Sequence, residues 1–481
     1  MTEPVRATDA DRAFFRLIEG ARGLEPTLNL SADRPGRAER LAAGRALRQK
    51  VPRSAHGDWR PGRRRDPLGI IARQNATRTE SLVPLRMERM SASPFAFYRG
   101  TAAVMAADLK RTPATGLTVM ACGDAHIANF GLFASAERQL VFAINDFDEV
   151  HPGPFEWDLK RLAVSVALAA HHVGAPATVG AAAVRSAVSS YTRRMRRYAE
   201  MGFLEVWYDL IDDASILAAA PPRLHDTIRA ATERARARGH IRSLGKLTEE
   251  AETGRRLAEA PPLLVRETAL ADGTPIAEAL AAMLRSYLLS LPTDRVRLLS
   301  RYRIVDVARK VVGVGSVGTS CWVILLEGID AGDPLFLQVK EAQPSVLAAN
   351  VRRAAPFRNQ GQRVVMGQRM IQGSPDIFLG YGAVAGRQRS GDFYVRQLAD
   401  MKGSFGFEES DSDWQERLPA HAALCGWALA LAHAKSGDPA TISGYCGTGK
   451  ALPEALARFA LAYIEQTLAD HAALVALQSA G

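Results

Sequence analysis

Apolar residues recur every three to four positions through TVGAAAVRSAVSSYTRRMRRYAEM (178–201) and IAEALAAMLRSYLLSL (276–291). The same spacing returns in HAALCGWALALAHAKS (421–436) and ALPEALARFALAYIEQTLADHAALVAL (451–477), and it predicts amphipathic helices. Between about 300 and 400 the pattern changes to short apolar and β-branched runs: VVGVG, CWVILLEG, PLFLQVK, DIFLGYG and DFYVRQL. Gly and Asp separate them, which predicts a small antiparallel sheet with one helical insertion, Ser345 to Gln372. The layout is helical, then sheet, then helical, with no internal repeat. It divides the chain into an Arg-rich arm (1–75), a large helical lobe (76–298), a small β-rich lobe (299–400) and helices returning to the large lobe (401–481).

Two apolar runs end in residues that carry chemistry. LTVMAC leads into Gly123-Asp124-Ala125-His126-Ile127-Ala128-Asn129-Phe130-Gly131, read as a tight loop leaving a strand. The spacing Asp-x-x-x-x-Asn lets one loop present a carboxylate to a substrate hydroxyl and an amide oxygen to a metal ion. His126, between them, is placed to brace the loop. QLVFAI leads into Asn145-Asp146-Phe147-Asp148-Glu149, where three carboxylates in four positions repel one another unless a cation or basic groups offset them. Mg²⁺ suits such a place, since one or two carboxylates beside a phosphate are its usual site. A two-strand hairpin would bring the two clusters together; an exposed acidic turn is the plainer alternative.

A third element is Gly313-Val314-Gly315-Ser316-Val317-Gly318-Thr319. In a dinucleotide-binding fold such glycines open a helix. Here they lead into SCWVILL, a run suited to a strand, and a glycine loop between two strands is a phosphate-covering flap. The next strand runs from Pro334 and ends at Lys340, which is thereby placed under the flap as a point charge for phosphate. Tyr394 and Arg396 lie on the last strand of the predicted sheet, before a hinge that offers backbone groups to an adenine edge. An edge strand with no ligand role is an equally good reading of that segment.

Composition adds limits. At 481 residues the chain is too long for one ordinary core. Sixty-one Lys and Arg against 51 Asp and Glu give a formal charge of +10, much of it in the first hundred residues (Arg63-Arg64-Arg65, Arg73, Arg78, Arg86, Arg89) and in Arg193–Arg197. Either these arginines form a solvated surface or they attract an anionic partner. They are not interleaved with aromatics, so specific nucleic-acid binding is not expected. Four scattered cysteines without a C-x-x-C pair argue against structural zinc and against a disulfide scaffold. The polar start lacks the features of a signal peptide, and the longest apolar stretch, Leu162 to Ala170, is too short for a bilayer. A cytoplasmic chain without membrane contact is expected.

GDAHIANFG followed by INDFDEVHPGPFEWDLKRL resembles the catalytic and metal-binding segments of aminoglycoside phosphotransferases and choline kinases. From about residue 50 to 470 the chain is similar to the uncharacterised bacterial family known as domain of unknown function 2252. SPFAFYRG, ARKVVGVGSVGTSC, LFLQVKEAQPSVL, SPDIFLGY, FYVRQLADMKGS and LAHAKSGD carry that likeness. The resemblance implies an α+β, two-lobed protein-kinase-like fold, with ATP and Mg²⁺ as cofactors and a small molecule as acceptor. Asp124 is then the catalytic or hydroxyl-orienting acid, Asn129, Asp146 and Asp148 the metal-binding residues, and Asp158 the support of the catalytic loop. Gly313, Gly315, Ser316 and Gly318 form the flap, and Lys340 pairs with phosphate.

Two departures follow. Ordinary kinases run glycine loop, lysine, hinge, then catalytic loop; here the catalytic loop comes first, which implies a circular permutation. The small-lobe helix that normally supplies a glutamate to the lysine has no acid from Val351 to Gln372, and Met366 stands at its place. Lys340 is expected to lack its usual partner. Three activities therefore compete: phosphotransferase, pseudokinase or AMP-transferring enzyme, and, more remotely, a basic nucleic-acid-binding protein.

Overall fold

Among the described residues twelve short strands pair antiparallel, and helices enclose them. The computed structural model describes residues 35–479 apart from 238–243, 246, 252–253, 270–272, 312, 352–356, 386–389, 399–400, 402 and 404–413. The fold is mixed α+β with small antiparallel sheets.

In the larger body, β1 (Thr118–Ala121) pairs with β4 (His151–Pro154), and the hairpin β2 (Phe130–Ala134) with β3 (Leu140–Ile144). Helix Phe155–His172 runs through its centre. Every residue from Phe155 to Ala170 is buried, which explains the apolar run Leu162 to Ala170: a helix apolar on all sides belongs inside a core. Helices Ala177–Glu200, Trp414–Ser436 and Ala451–Ser479 pack around it in one continuous cluster. Among the described residues no helix is long and apolar enough to cross a membrane. All four cysteines are buried and free.

Minor strands β5 (Thr248–Ala251) and β6 (Gly254–Leu257) form a separate hairpin. The main sheet holds β7 (Leu264–Val265), β8 (Arg303–Lys310), β9 (Cys321–Glu327), β10 (Pro334–Glu341), β11 (Gly380–Ala385) and β12 (Ser390–Gln397), in the order β11-β12-β10-β9-β8-β7. Helix Ile276–Ser290 covers its β11 edge. Ser290 Oγ accepts from Tyr381 N and Ser286 Oγ from Ala383 N, both at 2.9 Å, and Tyr287 Oη donates to Phe378 O at 2.7 Å. Covering an edge in this way removes a row of unpaired backbone groups. The boundary expected at 299 thus cuts through the sheet body, because this helix and β7 pack with the strands and not with the helical body. Among the described residues, the insertion expected from Ser345 to Gln372 has its helix at Gln360–Ile371.

The first 34 residues of the expected arm and residues 399–400 of the expected hinge lie outside the described residues. From Arg37 onward the arm is docked, not extended. Helix Arg37–Lys50 lies against helix Pro439–Cys446 so closely that a Cβ on Gly44 would stand 2.0 Å from Thr441 O. Some of the arginines read as surface charge are buried. Arg65 binds Asp470 through two bonds of 2.6 Å and Asp108 at 2.9 and 3.0 Å, while Arg86 donates to Asn75 and to the Gly100 carbonyl. Those charges are spent inside the fold.

Candidate functional site

The two acidic loops meet because one glycine permits it. Gly123 has φ +79°, and a Cβ there would lie 2.3 Å from Glu149 O. Asp158, buried in the first turn of helix Phe155–His172, accepts from Cys122 N at 2.6 Å and Gly123 N at 2.9 Å. Its Oδ2 also lies 3.1 Å from His433 Nε2, whose Nδ1 is 2.9 Å from Tyr191 Oη. Asp158→Ala strands two buried N–H groups. It is expected to cost about 3 kcal/mol or more, read from urea unfolding, whereas a surface Asp→Ala at Asp226 should cost almost nothing.

Farther along the loop, Ser165 Oγ accepts from Ile127 N, Asn129 Nδ2 donates to Asp124 O at 2.9 Å, and Asn145 N donates to Asn129 O at 2.8 Å. The β2–β3 hairpin thus holds Asn129 beside the acidic turn. Arg161, one helical turn after Asp158, binds Asp124 Oδ1 through Nη2 at 2.7 Å and Nε at 2.9 Å. Burial raises the Asp124 carboxyl above the ordinary range, against the pull of Arg161 and Arg99. His126 is neutral, its basicity lowered well below normal by burial and by Arg161 and Arg99. Its Nδ1 has no hydrogen-bond partner among the described residues and its Nε2 lies 3.8 Å from Asp124 Oδ2, while backbone bonds and Ser165 also hold the loop.

Strand alternation places the basic side chains. On β10, Leu335, Leu337 and Val339 face the helix-covered side, while Gln338 and Lys340 face the acidic turn. Opposite them on β12 stand Arg396 and Tyr394. Lys340 Nζ donates to Asp148 Oδ2 at 2.5 Å, Tyr394 Oη to Asp148 Oδ1 at 2.6 Å, and Ser316 Oγ to Asp148 Oδ2 at 3.2 Å. Burial works to lower the lysine's basicity, but Asp148, Tyr394 and Asp146 outweigh it and hold the ammonium well above its usual value. Burial likewise works to raise Asp148, yet Lys340 and Tyr394 bring it down to about 2. Lys340 therefore has a partner after all, supplied by the acidic turn and not by the helix.

That helix contributes a cation. Arg363, fully buried, donates to Val150 O at 2.6 Å, Asp148 O at 2.9 Å and Gln343 O at 2.7 Å, and so fixes the turn to the sheet body. Glu149 is held by Val346 N at 2.7 Å, and burial raises its carboxyl to about 7 despite that bond and Arg363. Because the folded-state value lies above the unfolded one near 4.5, folding favours the protonated form. Stability is expected to fall as pH rises from about 4.5 to 7, with Glu149→Gln flattening that part of the profile. Denaturant midpoints at pH 5 and 8 for both proteins check this.

The glycine turn joins β8 to β9 and is pinned from the large body. Arg78 donates to Gly315 O at 2.8 Å and to Val317 O, and Thr79 N donates to Gly318 O at 2.8 Å. Gly318 has φ +87°, with Arg78 Cβ 2.9 Å from where its own Cβ would be. Gly313 and Gly315 border a cleft of about 300 Å³. Asp124, His126, Asn129, Asp146, Asp148, Ser316, Lys340 and Arg396 line the same cleft. Tyr394, Gly318 and Asp158 are not among its lining residues: Tyr394 holds Asp148 from behind, Gly318 O accepts from Thr79 N, and Asp158 holds the backbone just before Asp124. Arg396 is steadied by Gln338 Oε1 at 3.0 Å and Asn145 O at 3.2 Å.

Among the described residues no group of three or more His, Cys, Asp or Glu side chains is arranged to hold a metal. The donor set fits a cation that keeps water and phosphate ligands. Burial and Asp148 raise the Asp146 carboxyl above its ordinary value, a cost that a cation would relieve, and Asn129 lines the cleft with it. With Lys340, Tyr394 and Ser316 on its oxygens, Asp148 is the lysine's partner.

Sequence reasoning did not find Arg78, Arg161 or Arg363. For Arg161 a signal existed, since it follows Asp158 by three residues and shares its helix face. Arg78 and Arg363 act on backbone carbonyls far away in sequence, and no local spacing marks them.

Comparison with curated proteins and with solved structures gave no match. A family model matches residues 78–477, from the arginine that pins the glycine turn almost to the end of the last helix. The chain belongs to the bacterial family described as "Uncharacterized protein conserved in bacteria (DUF2252)".

Proposed function

We propose that this chain is an ATP- and Mg²⁺-dependent phosphotransferase acting on a small hydroxyl-bearing acceptor. Its fold is then protein-kinase-like, two-lobed and circularly permuted, with the catalytic loop preceding the glycine flap. The observation that carries this reading is convergence: two loops and a sheet, widely separated in sequence, bring Asp124, Asn129, Asp146, Gly313, Gly315 and Lys340 to one cleft.

In this reading the glycine turn's backbone and Lys340 receive the triphosphate, Asp148 and Tyr394 aim the ammonium, and Asn129 with Asp146 holds Mg²⁺. The ion supplies charge neutralisation on the phosphates. Asp124 orients the acceptor through Oδ2, since Arg161 occupies Oδ1. The acceptor oxygen bonds to the γ-phosphorus as the bond to the β–γ bridging oxygen breaks. The hydroxyl proton passes towards Asp124, and ADP and a phosphate ester result. Positioning and charge neutralisation account for most of the rate in such chemistry.

The Arg161 grip on Asp124 favours a second reading, a nucleotide-binding module with little or no transfer, because the guanidinium draws down the basicity that burial raises. AMP transfer is a variant of the first. Melting in millimolar Mg·ATP is expected to shift upward, and no shift in folded protein rejects both nucleotide readings. ATP labelled at the γ or the α position then separates phosphate transfer, AMP transfer and binding alone.

A further inference from the structure

The acceptor side of the cleft is cationic. The segment from Gln74 to Ala102 forms one wall beside Asp124; its described lining residues include Gln74, Arg78 and Arg99 and no acid, while the acids of the cleft come from the two loops. Arg78 is committed to the glycine turn. Arg99 is not committed: it makes no hydrogen bond or ion pair among the described residues, and its Nε is buried without a partner. The Gln74 amide oxygen beside this wall is also buried without a partner. The charge of Arg99 acts on both Asp124 and His126, and its backbone carbonyl lies 3.5 Å from the position a Cβ on Gly315 would take. Arg99 thus stands where the glycine turn meets the catalytic carboxylate.

An ammonium-bearing acceptor entering beside this wall would meet Arg78 and Arg99 and the half of Asp124 that Arg161 leaves. The cleft's other acids, Asp146, Asp148 and Glu149, belong to the acidic turn, and Asp148 is held by Lys340. A phosphate or carboxylate would meet an unsatisfied guanidinium, whose planar fork suits paired bonds to such oxygens. The triphosphate already has the glycine turn, Lys340 and the cation-holding residues, so Arg99 is surplus to the nucleotide. We infer that the acceptor carries an anionic group, phosphate or carboxylate, close to the hydroxyl that is phosphorylated, and that Arg99 binds it. This rests on the phosphotransferase reading and narrows it, since the aminoglycosides and choline of the resembling enzymes are cations.

The test uses the full chain loaded with Mg²⁺ and a non-transferable β,γ-imido ATP analogue, so that the γ position is filled. Inorganic phosphate is titrated by calorimetry into wild type, Arg99→Gln and Arg99→Lys, with choline as the cationic control. Phosphate is expected to bind the loaded wild type, about tenfold or more weaker in Arg99→Gln, with partial recovery in Arg99→Lys and no binding of choline. Arg99 loses no internal hydrogen bond on substitution, so the unliganded melting temperature and the analogue affinity are expected to hold in Arg99→Gln. Equal phosphate affinity in Arg99→Gln, or binding of choline instead of phosphate, overturns the inference alone. Phosphate binding only to analogue-free protein also overturns it, because Arg99 then meets the transferring group. Failure of the analogue to bind wild type overturns the phosphotransferase reading and this inference with it.

Discussion

Asp146→Asn is expected to lower turnover by about a hundred- to a thousandfold while leaving the fold intact. The change removes one negative charge from the place where the cation would be held, and charge stabilisation at such a centre is worth about that much. The structural loss is small. Among the described residues Asp146 Oδ1 accepts from Asp148 N alone, at 3.1 Å, and an asparagine oxygen can accept the same bond. The wild-type carboxyl is already disfavoured by burial and by Asp148, so removing its charge is expected to leave stability unchanged or slightly raised. ADP formation and a urea midpoint, measured on the same preparation, check both halves. Unchanged turnover removes Asp146 from the metal role, and a collapsed midpoint makes the residue structural.

Lys340→Met is expected to act on stability and binding together. Lys340 is 3% exposed and the Asp148 side chain 26%, so the ammonium's loss leaves a half-buried carboxylate held only by Tyr394 and Ser316. Breaking such a pair from one side costs about 3 kcal/mol. Asp148 sits at about 2 in the folded chain against an ordinary value near 3.8, so it contributes stability above pH 3.8 that is lost as pH falls through 2. In Lys340→Met that contribution is expected to shrink. Adding Asp148→Asn removes the orphaned charge, and the double variant should regain most of the lost stability without regaining nucleotide affinity. Non-additivity of that kind is the mark of a direct pair. Additive losses would mean that the 2.5 Å contact carries little energy.

The site was more legible than the frame that supports it. GDAHIAN and INDFDE each follow an apolar run, and the fourteen residues between them suit a hairpin, so their meeting could be read from spacing. The glycine turn was legible because a strand-forming run, not a helix-forming one, follows Gly318. The lysine's partner was not. Its usual donor helix holds no acid, and the substitute, Asp148, lies 192 residues away on a loop read either as a metal site or as an exposed acidic turn. Arg65 and Arg86 misled in the opposite direction. Arginine runs near a terminus look like surface, and only the distant acids Asp108 and Asp470 show why Arg65 is inside. The boundary near 299 was missed because helix Ile276–Ser290 has the same amphipathic pattern whether it packs on helices or covers a sheet edge.

Spatial convergence of sheet and loops on a single triphosphate is most directly tested by a crystal structure with the β,γ-imido analogue and Mn²⁺ in place of Mg²⁺. The expected result is phosphate density between the glycine turn and Lys340, with the anomalous Mn²⁺ peak on Asn129 and Asp146. A nucleotide bound elsewhere, or a metal peak away from both residues in a cleft that holds the analogue, would contradict it.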